Sequence, residues 1–382
     1  MLAIKKSYLT VFLIICFSFQ NCIYDYNPDL EKYEDLLVVY GMITDNYGPH
    51  QVILSWTTSV YGYSNLPETG ANVKISDLEG NIVDLTDQGN GIYLTPADFK
   101  GENEKKYKIL IELSDGRHYE SDYVELLDVP EIKELNFEFT SKTDQKTAEE
   151  IAGYQFYVST DGNNENQKYY RWEIFETWEI KMPYFITNFW TGDSLISVSF
   201  PQRCWHYSKV NEIFIANTLE YQTNSIKNFP LNFTSVETER LAIKYRLTVN
   251  QFSMTEKSYF FWKGQIENTQ QKGSLYEKQP YQVVGNIRCI ENPKEIVLGI
   301  FEASSVAQKE IFVAPPHVFV PSGFESCSAK DPSDLTDMEK RRYYYASYTM
   351  MDSLVVFNKG CVDCTTSGAK PTMPENWDIS GN

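Results

Sequence analysis

From residue 36 onward the chain alternates apolar and polar positions in short runs, the period-two signature of half-buried strands. Residues 36–40, 51–56 and 71–76 are the first such runs. Asp77-Leu-Glu-Gly80-Asn81 and Gln88-Gly-Asn-Gly91 read as turns, followed by apolar runs at 82–85 and 92–94. Residues 107–113 (YKILIEL) form a strong strand, and Asp115-Gly116 turns the chain into 118–126. Strands this short, with turn signals about every eight to twelve residues, predict a sandwich or barrel. No long helix separates them, which argues against a parallel α/β sheet. Residues 35–128 are therefore read as an immunoglobulin- or transthyretin-like β-sandwich.

Asp128-Val-Pro130-Glu131 is the first linker, and residues 131–360 are expected to form a larger β-rich, sandwich-like domain with one helix. The pattern places strands near 132–139, 155–159, 169–180, 212–216, 240–251, 282–287, 295–301 and 310–313. Residues 169–180 (YYRWEIFETWEI) alternate aromatic or aliphatic residues with charged ones. The helix is read from Ser253-Met-Thr-Glu256, a capping box. Tyr259, Trp262 and Ile266 then share a face that packs on a sheet, and Gly273 closes the helix. Residues 361–382, with Gly368, Pro371 and Pro374, read as a loop-like tail.

The first 21 residues change the picture of where the protein resides. Lys5 and Lys6 precede an apolar run at 8–19 that is too short for a permanent span. The run ends at Phe19-Gln-Asn-Cys22, the layout of a bacterial lipoprotein signal, with Cys22 as the lipidated residue and 22–34 as a polar tether. Asn21 and Phe19 depart from the usual small and aliphatic residues, and an ordinary secretory signal is the alternative. The formal charge is −18, which argues against nucleic acid and anionic lipid as partners. Aromatics make up 15% of the chain, with 27 Tyr, 22 Phe and 7 Trp, as suits strands and recognition surfaces.

An exported chain favours disulfides. Beyond Cys22 the thiols are Cys204, Cys289, Cys327, Cys361 and Cys364, so they cannot all pair. Cys361-Val-Asp-Cys364 lacks the second ligand pair of a zinc knuckle and the βαβ setting of a redox motif. Structural disulfides are the preferred reading.

The chain has no G-x-S-x-G, H-E-x-x-H, P-loop or G-x-G-x-x-G motif. His206, beside Trp205 and Cys204, is the crowded histidine, but a disulfide beside an aromatic explains it better than a nucleophile. Glu173, Glu176 and Glu179 are the candidate paired acids for sugar hydrolysis. They read instead as the solvated side of a strand. Asp161-Gly-Asn-Asn-Glu165 lacks the spacing of a calcium loop and reads as a hairpin. No catalytic residue, cofactor or metal is expected. Of Trp172, Trp178, Trp190 and Trp205, core packing accounts for most, and Trp190 in Asn188-Phe-Trp-Thr-Gly192 is the candidate ligand contact.

With these segments in order, the chain resembles a family of Bacteroidota lipoproteins labelled domain of unknown function 4249. The likeness is carried by Leu37-Val-Val-Tyr-Gly41-Met-Ile-Thr44, Gly70-Ala-Asn-Val-Lys-Ile75, Gly91-Ile-Tyr93, Tyr119-Glu-Ser-Asp122 and Pro130-Glu-Ile132. It continues through Leu247-Thr-Val249, Gly285-Asn-Ile287, Val297-Leu-Gly299-Ile-Phe301, Cys361-Val-Asp-Cys364 and Pro374-Glu-Asn-Trp377. It runs over essentially the whole chain after Cys22. The resemblance implies that Cys204, Cys327, Cys361 and Cys364 form two disulfides drawing the tail onto the second domain, with Cys289 spare. It also implies a setting beside TonB-dependent outer-membrane transporters. The expectation is thus an outer-membrane, lipid-anchored binding or accessory component of nutrient uptake, facing a small molecule, glycan or peptide. The alternatives are a surface polymer-degrading enzyme and a structural adhesin or assembly protein.

Overall fold

The strand-forming runs assemble as two packed β-sandwiches. The computed structural model describes residues 35–58, 66–144, 147–162, 167–190, 194–221, 223–270, 281–339, 344–348 and 354–377. The leader, the tether with Cys22, and Gly273 lie outside them. The all-β expectation holds: the described chain is mostly strand, arranged in five sheets.

In the first sandwich, Leu37–Thr44 alternates buried and half-buried residues along its whole length, as a strand with one face on a core must. It pairs antiparallel with Gln51–Trp56, which continues to Ile92–Leu94 and Thr86–Asp87. The facing sheet runs His118–Ser121, Lys106–Glu112, Asn72–Asp77 and Ile82–Asp84. Leu37, Val39, Val52 and Leu54 meet Val73, Ile75, Ile109 and Tyr119 between them.

Residues 35–128 do not complete this sandwich. Leu298–Ser304 adds parallel to Leu37–Thr44, and Ile287–Cys289 adds to His118–Ser121. The segments 37–44 and 297–301, read from the sequence as separate motifs, are strand neighbours, with Val39 opposite Gly299 and Gly41 opposite Phe301. Gly299 has φ +92°, and a Cβ there would lie 1.8 Å from the Val39 carbonyl oxygen. Only glycine fits such a place. Gly285 packs against Gly299 in turn, and a Cβ on it would lie 1.7 Å from the Gly299 carbonyl oxygen. Next to it, the buried Asn286 side chain donates to the Phe301 carbonyl at 2.8 Å and accepts from the Phe301 N–H at 2.9 Å, standing in for a strand.

The second sandwich sets Ile132–Thr143, Glu150–Asp161 and Ser225–Ser235 against a sheet ordered Arg203–Lys209, Tyr169–Lys181, Tyr245–Ser253 and Val306–Val313. Phe156, Val158, Trp172, Ile174, Leu247 and Val249 fill the space between. Ser225–Ser235 is not legible from pattern alone. It holds Pro230 and Asn228, the latter at φ 47°, and its register slips twice against Glu150–Asp161. An edge strand tolerates both. A smaller sheet joins Leu195–Ser197, Asn188–Trp190, Tyr344–Tyr348 and Leu354–Asn358.

The helix spans Glu256–Gln270, but its cap is not Ser253. Ser253 ends the strand Tyr245–Ser253, and its N–H donates to the Ser304 hydroxyl at 3.0 Å. Thr255 caps instead, its hydroxyl oxygen accepting from the Ser258 N–H at 3.2 Å. The strand ladder outcompetes the local capping box for Ser253. The helix packs on both sandwiches: Tyr259 meets Tyr169 and Met254, while Phe261 meets Val283 and Ile300.

Candidate functional site

The strand Tyr169–Lys181 organises the chemistry. Its even positions, Tyr170, Trp172, Ile174, Trp178 and Ile180, face the core of the second sandwich. Glu173, Glu176 and Glu179 were expected on the solvated side of this strand, and that expectation fails. A central strand is covered on both faces here, by the facing sheet on one side and by the first sandwich and the tail on the other. Its acids are therefore paired, Glu176 and Glu179 buried and Glu173 half-buried.

On the outer face, Arg171 is 4% exposed and bridges the two sandwiches. Its guanidinium donates to Glu173 at 2.7 Å and to Glu302, on the returning strand Leu298–Ser304, at 3.4 Å. It lies between the rings of Phe252 and Trp262, 4.9 Å from each. The Trp262 indole N–H donates to both Glu302 oxygens at 3.1 Å, and Lys209 pairs with Glu173 at 3.0 Å. Burial opposes the charge on Glu173, but Arg171 and Lys209 outweigh it and lower its pKa. Burial likewise opposes the charge on Arg171, yet Glu302, Tyr40 and Glu173 prevail and raise its pKa. Burial, with Glu302 and Glu173 nearby, pushes the Tyr40 phenol up to about 12 against the pull of Arg171. Tyr40 therefore remains a hydrogen-bond donor at neutral pH.

On the core face, Glu176 is 3% exposed. It accepts from the Tyr245 hydroxyl at 2.7 Å and from Thr234 at 3.3 Å, and pairs with Arg240 at 3.2 Å. Burial, then Glu176, raises the Tyr245 pKa well above its usual value.

A trough runs around the loop 210–213, where the strand pairing beside Tyr169–Lys181 is interrupted between Arg203–Lys209 and Phe214–Asn217. One recess of about 360 Å³ is lined by Tyr40, Arg171, Glu173, Lys209 and Trp262. A second, of about 440 Å³, continues past Trp262 to Phe261, Tyr281 and Gly299. The largest, about 1120 Å³, passes to the other side of the loop, bounded by Lys142, Glu176, Asn232, Phe233 and Arg240. Ile213 lines all three.

The residues singled out in the sequence are distributed differently. Disulfides join Cys204 to Cys364 and Cys327 to Cys361, leaving Cys289 buried and free. The tail is drawn onto the second sandwich. Trp205 and Lys370 exchange backbone hydrogen bonds of 2.9 Å. Trp377, 1% exposed, donates its indole N–H to Glu179 at 3.1 Å, and Glu179 also holds Arg203 at 2.6 Å. Lys244 donates to the Trp377 carbonyl. Trp172, Trp178 and Trp205 are core residues. Trp190 ends the strand Asn188–Trp190, and its side chain lies outside the described residues. His206 stacks on Trp178 with ring centroids 5.0 Å apart, beside the Cys204 disulfide. Asp161 is tied to Lys133, while 163–166 lie outside the described residues. Among the described residues, no three His, Cys, Asp or Glu are placed to hold a metal ion. None of their helices is long and apolar enough to cross a membrane.

Sequence reasoning missed Arg171, Arg240, Glu302, Asn232 and the 210–213 loop. One signal was present: Arg171 is the lone cation in residues 169–180 and shares a strand face with Glu173.

Fold and site together define a two-sandwich β protein with ion pairs buried on both faces of its central strand, beside a trough. The chain belongs to the family described as Domain of unknown function (DUF4249), whose model matches residues 23–310. That match stops short of the cross-linked tail. No curated protein matches the chain. Among solved structures it is similar to trypsin-activated alpha-2-macroglobulin from Escherichia coli, with 9% identity and a TM-score of 0.19. The match covers 85% of this chain but 17% of that one, and at that score it carries no argument.

Proposed function

We propose that this protein is held at the outer membrane by lipid on Cys22 and serves as a binding or accessory component of a TonB-dependent nutrient-uptake system. The basic, apolar leader ending at Cys22 supports the anchor. The observation that carries the binding role is the trough around 210–213. It is concave, walled by Tyr40, Phe233 and Trp262, and set with fixed polar groups, the usual make-up of a ligand site. The site rests on two packed sandwiches and a helix, so its shape is largely preformed. The test is affinity isolation from outer membranes with the native anchor intact. Co-isolation of a transporter is the expected result; recovery of the protein alone, with a free thiol at residue 22, would overturn the reading.

A further inference from the structure

We propose that the edge strand Ile132–Thr143 is a self-association surface, pairing antiparallel with the same strand of a second copy about a twofold axis at Glu138. The first argument is where burial stops. Ile132 and Leu135 are buried, but from Phe137 to Thr143 every residue is exposed except the half-buried Thr140. Phe137 and Phe139 lie on the face that carries Leu135, so this sheet runs on past the core it covers. They are 38% and 42% exposed, with rings set edge-on to Tyr154 at centroid distances of 5.1 and 5.3 Å. Apolar rings fixed on a strand and open to water gain by burial against a partner.

The second argument is the open edge. Glu150–Asp161 pairs with one side of the strand, and among the described residues no strand pairs with the other. Lys309 donates to the Ile132 and Lys133 carbonyls at 3.1 and 2.9 Å, which covers only the start. Other edges are blunted. Ser225–Ser235 carries Pro230 and two register slips, Arg203–Lys209 is met by Lys370, and Leu298–Ser304 is met by Val284 and the Asn286 side chain. Beyond Glu134 this strand has no proline and no register slip, so its outer amides and carbonyls form a regular template for another strand.

The third argument selects the partner. Set antiparallel against itself about Glu138, the strand puts Phe137 opposite Phe139, Asn136 opposite Thr140 and Glu134 opposite Lys142. The axis generates each pair twice, as an isologous contact requires. Two aromatic pairs and two ion pairs therefore flank the axis, against one unfavourable meeting of Glu138 with its own copy. Moving the axis to Phe137 or to Phe139 loses both ion pairs. The match is built into the sequence for a second copy; an unrelated strand has no such constraint.

The test is sedimentation equilibrium of the full mature chain in density-matched detergent, with cross-linking on intact outer membranes. The parent should be a reversible dimer. Glu134→Lys and Lys142→Glu each turn two attractive pairs into repulsive ones and should each weaken it about tenfold; the double swap should restore it. Glu138→Gln should tighten it about threefold by removing the like-charge meeting. These positions are exposed, so each variant should fold as the parent does. On membranes, a short bismaleimide should join Glu138→Cys to its own copy but not Thr140→Cys, whose copies lie about 14 Å apart along the pairing. The proposal is overturned if the parent stays monomeric at about 0.1 mM, if the double swap does not restore the dimer, or if Thr140→Cys cross-links as readily as Glu138→Cys. A monomer that still co-isolates a transporter removes this pairing and leaves the uptake reading intact.

Discussion

Two segments return from far along the chain to finish a sandwich, and they are fastened by different means. Leu298–Ser304 closes the first sandwich through a continuous parallel ladder of seven paired residues, with Phe301 and Ala303 in the core. The tail reaches the second sandwich through a bridge at Trp205–Lys370, the buried Trp377 with its bonds to Glu179 and Lys244, and the Cys204–Cys364 disulfide, while Cys327–Cys361 ties it to the segment before it. Where a ladder and apolar burial are available, no covalent link is used, and Cys289 stays a buried free thiol on the facing sheet, opposite Tyr119. Where the contact lacks a ladder and buries only a few side chains such as Ala369 and Trp377, cross-links limit the freedom of the unfolded chain.

The comparison can be broken most forcefully at the tail. Replacing Cys204 and Cys364 with alanine should cost on the order of 2–5 kcal/mol, read as a lower urea midpoint. A smaller change in the first sandwich should come from Gly299→Ala. Its left-handed backbone and the Val39 carbonyl contact predict a loss of about 2–3 kcal/mol by the same measurement. If Gly299→Ala is neutral, the ladder is not the fastening described. Trp377→Phe keeps the ring but removes the hydrogen bond to Glu179, and about 1–2 kcal/mol should go with it. Protease sensitivity of the tail should rise in parallel. The subtlest effect concerns pH at the joint between the sandwiches. Because Glu173 has a folded pKa below its ordinary 4.5, its contribution is fully present above about pH 4.5. It fades as pH falls through the lowered folded value. Urea midpoints measured down the acid limb should therefore fall less steeply in Glu173→Gln than in the parent. Equal slopes would mean that Arg171 does not hold this carboxylate.

Strand positions with one apolar face were legible in the sequence, because alternation alone reports them; Gln51–Trp56 and Ile92–Leu94 sit where the pattern put them. The parallel pairing of 37–44 with 298–304 was not, since partners chosen across such a separation leave no local periodicity. Arg203–Lys209 escaped notice for a different reason: it is an edge strand in which the adjacent Cys204 and Trp205 are both buried, which breaks the alternation. The cysteines were recognisable as disulfide formers, but which paired with which depended on the tail's path. The ion pairs of the trough were hidden most completely. Arg171 meets Glu302 only because two sandwiches converge, and a charged residue in an alternating run reads as solvent-facing until its neighbours are in place.

The parallel neighbour of Leu37–Thr44 carries a consequence for biosynthesis. The module nearest the start of the polypeptide cannot reach its final form until the ribosome has passed residue 304. Until then one flank of an early-made strand waits with its amides and carbonyls unsatisfied. The second sandwich, whose strands lie between 132 and 313, waits longer still, because Cys364, Ala369 and Trp377 of the tail complete its packing. Both halves of the molecule thus mature late, and the unfinished polypeptide needs shielding from aggregation until then.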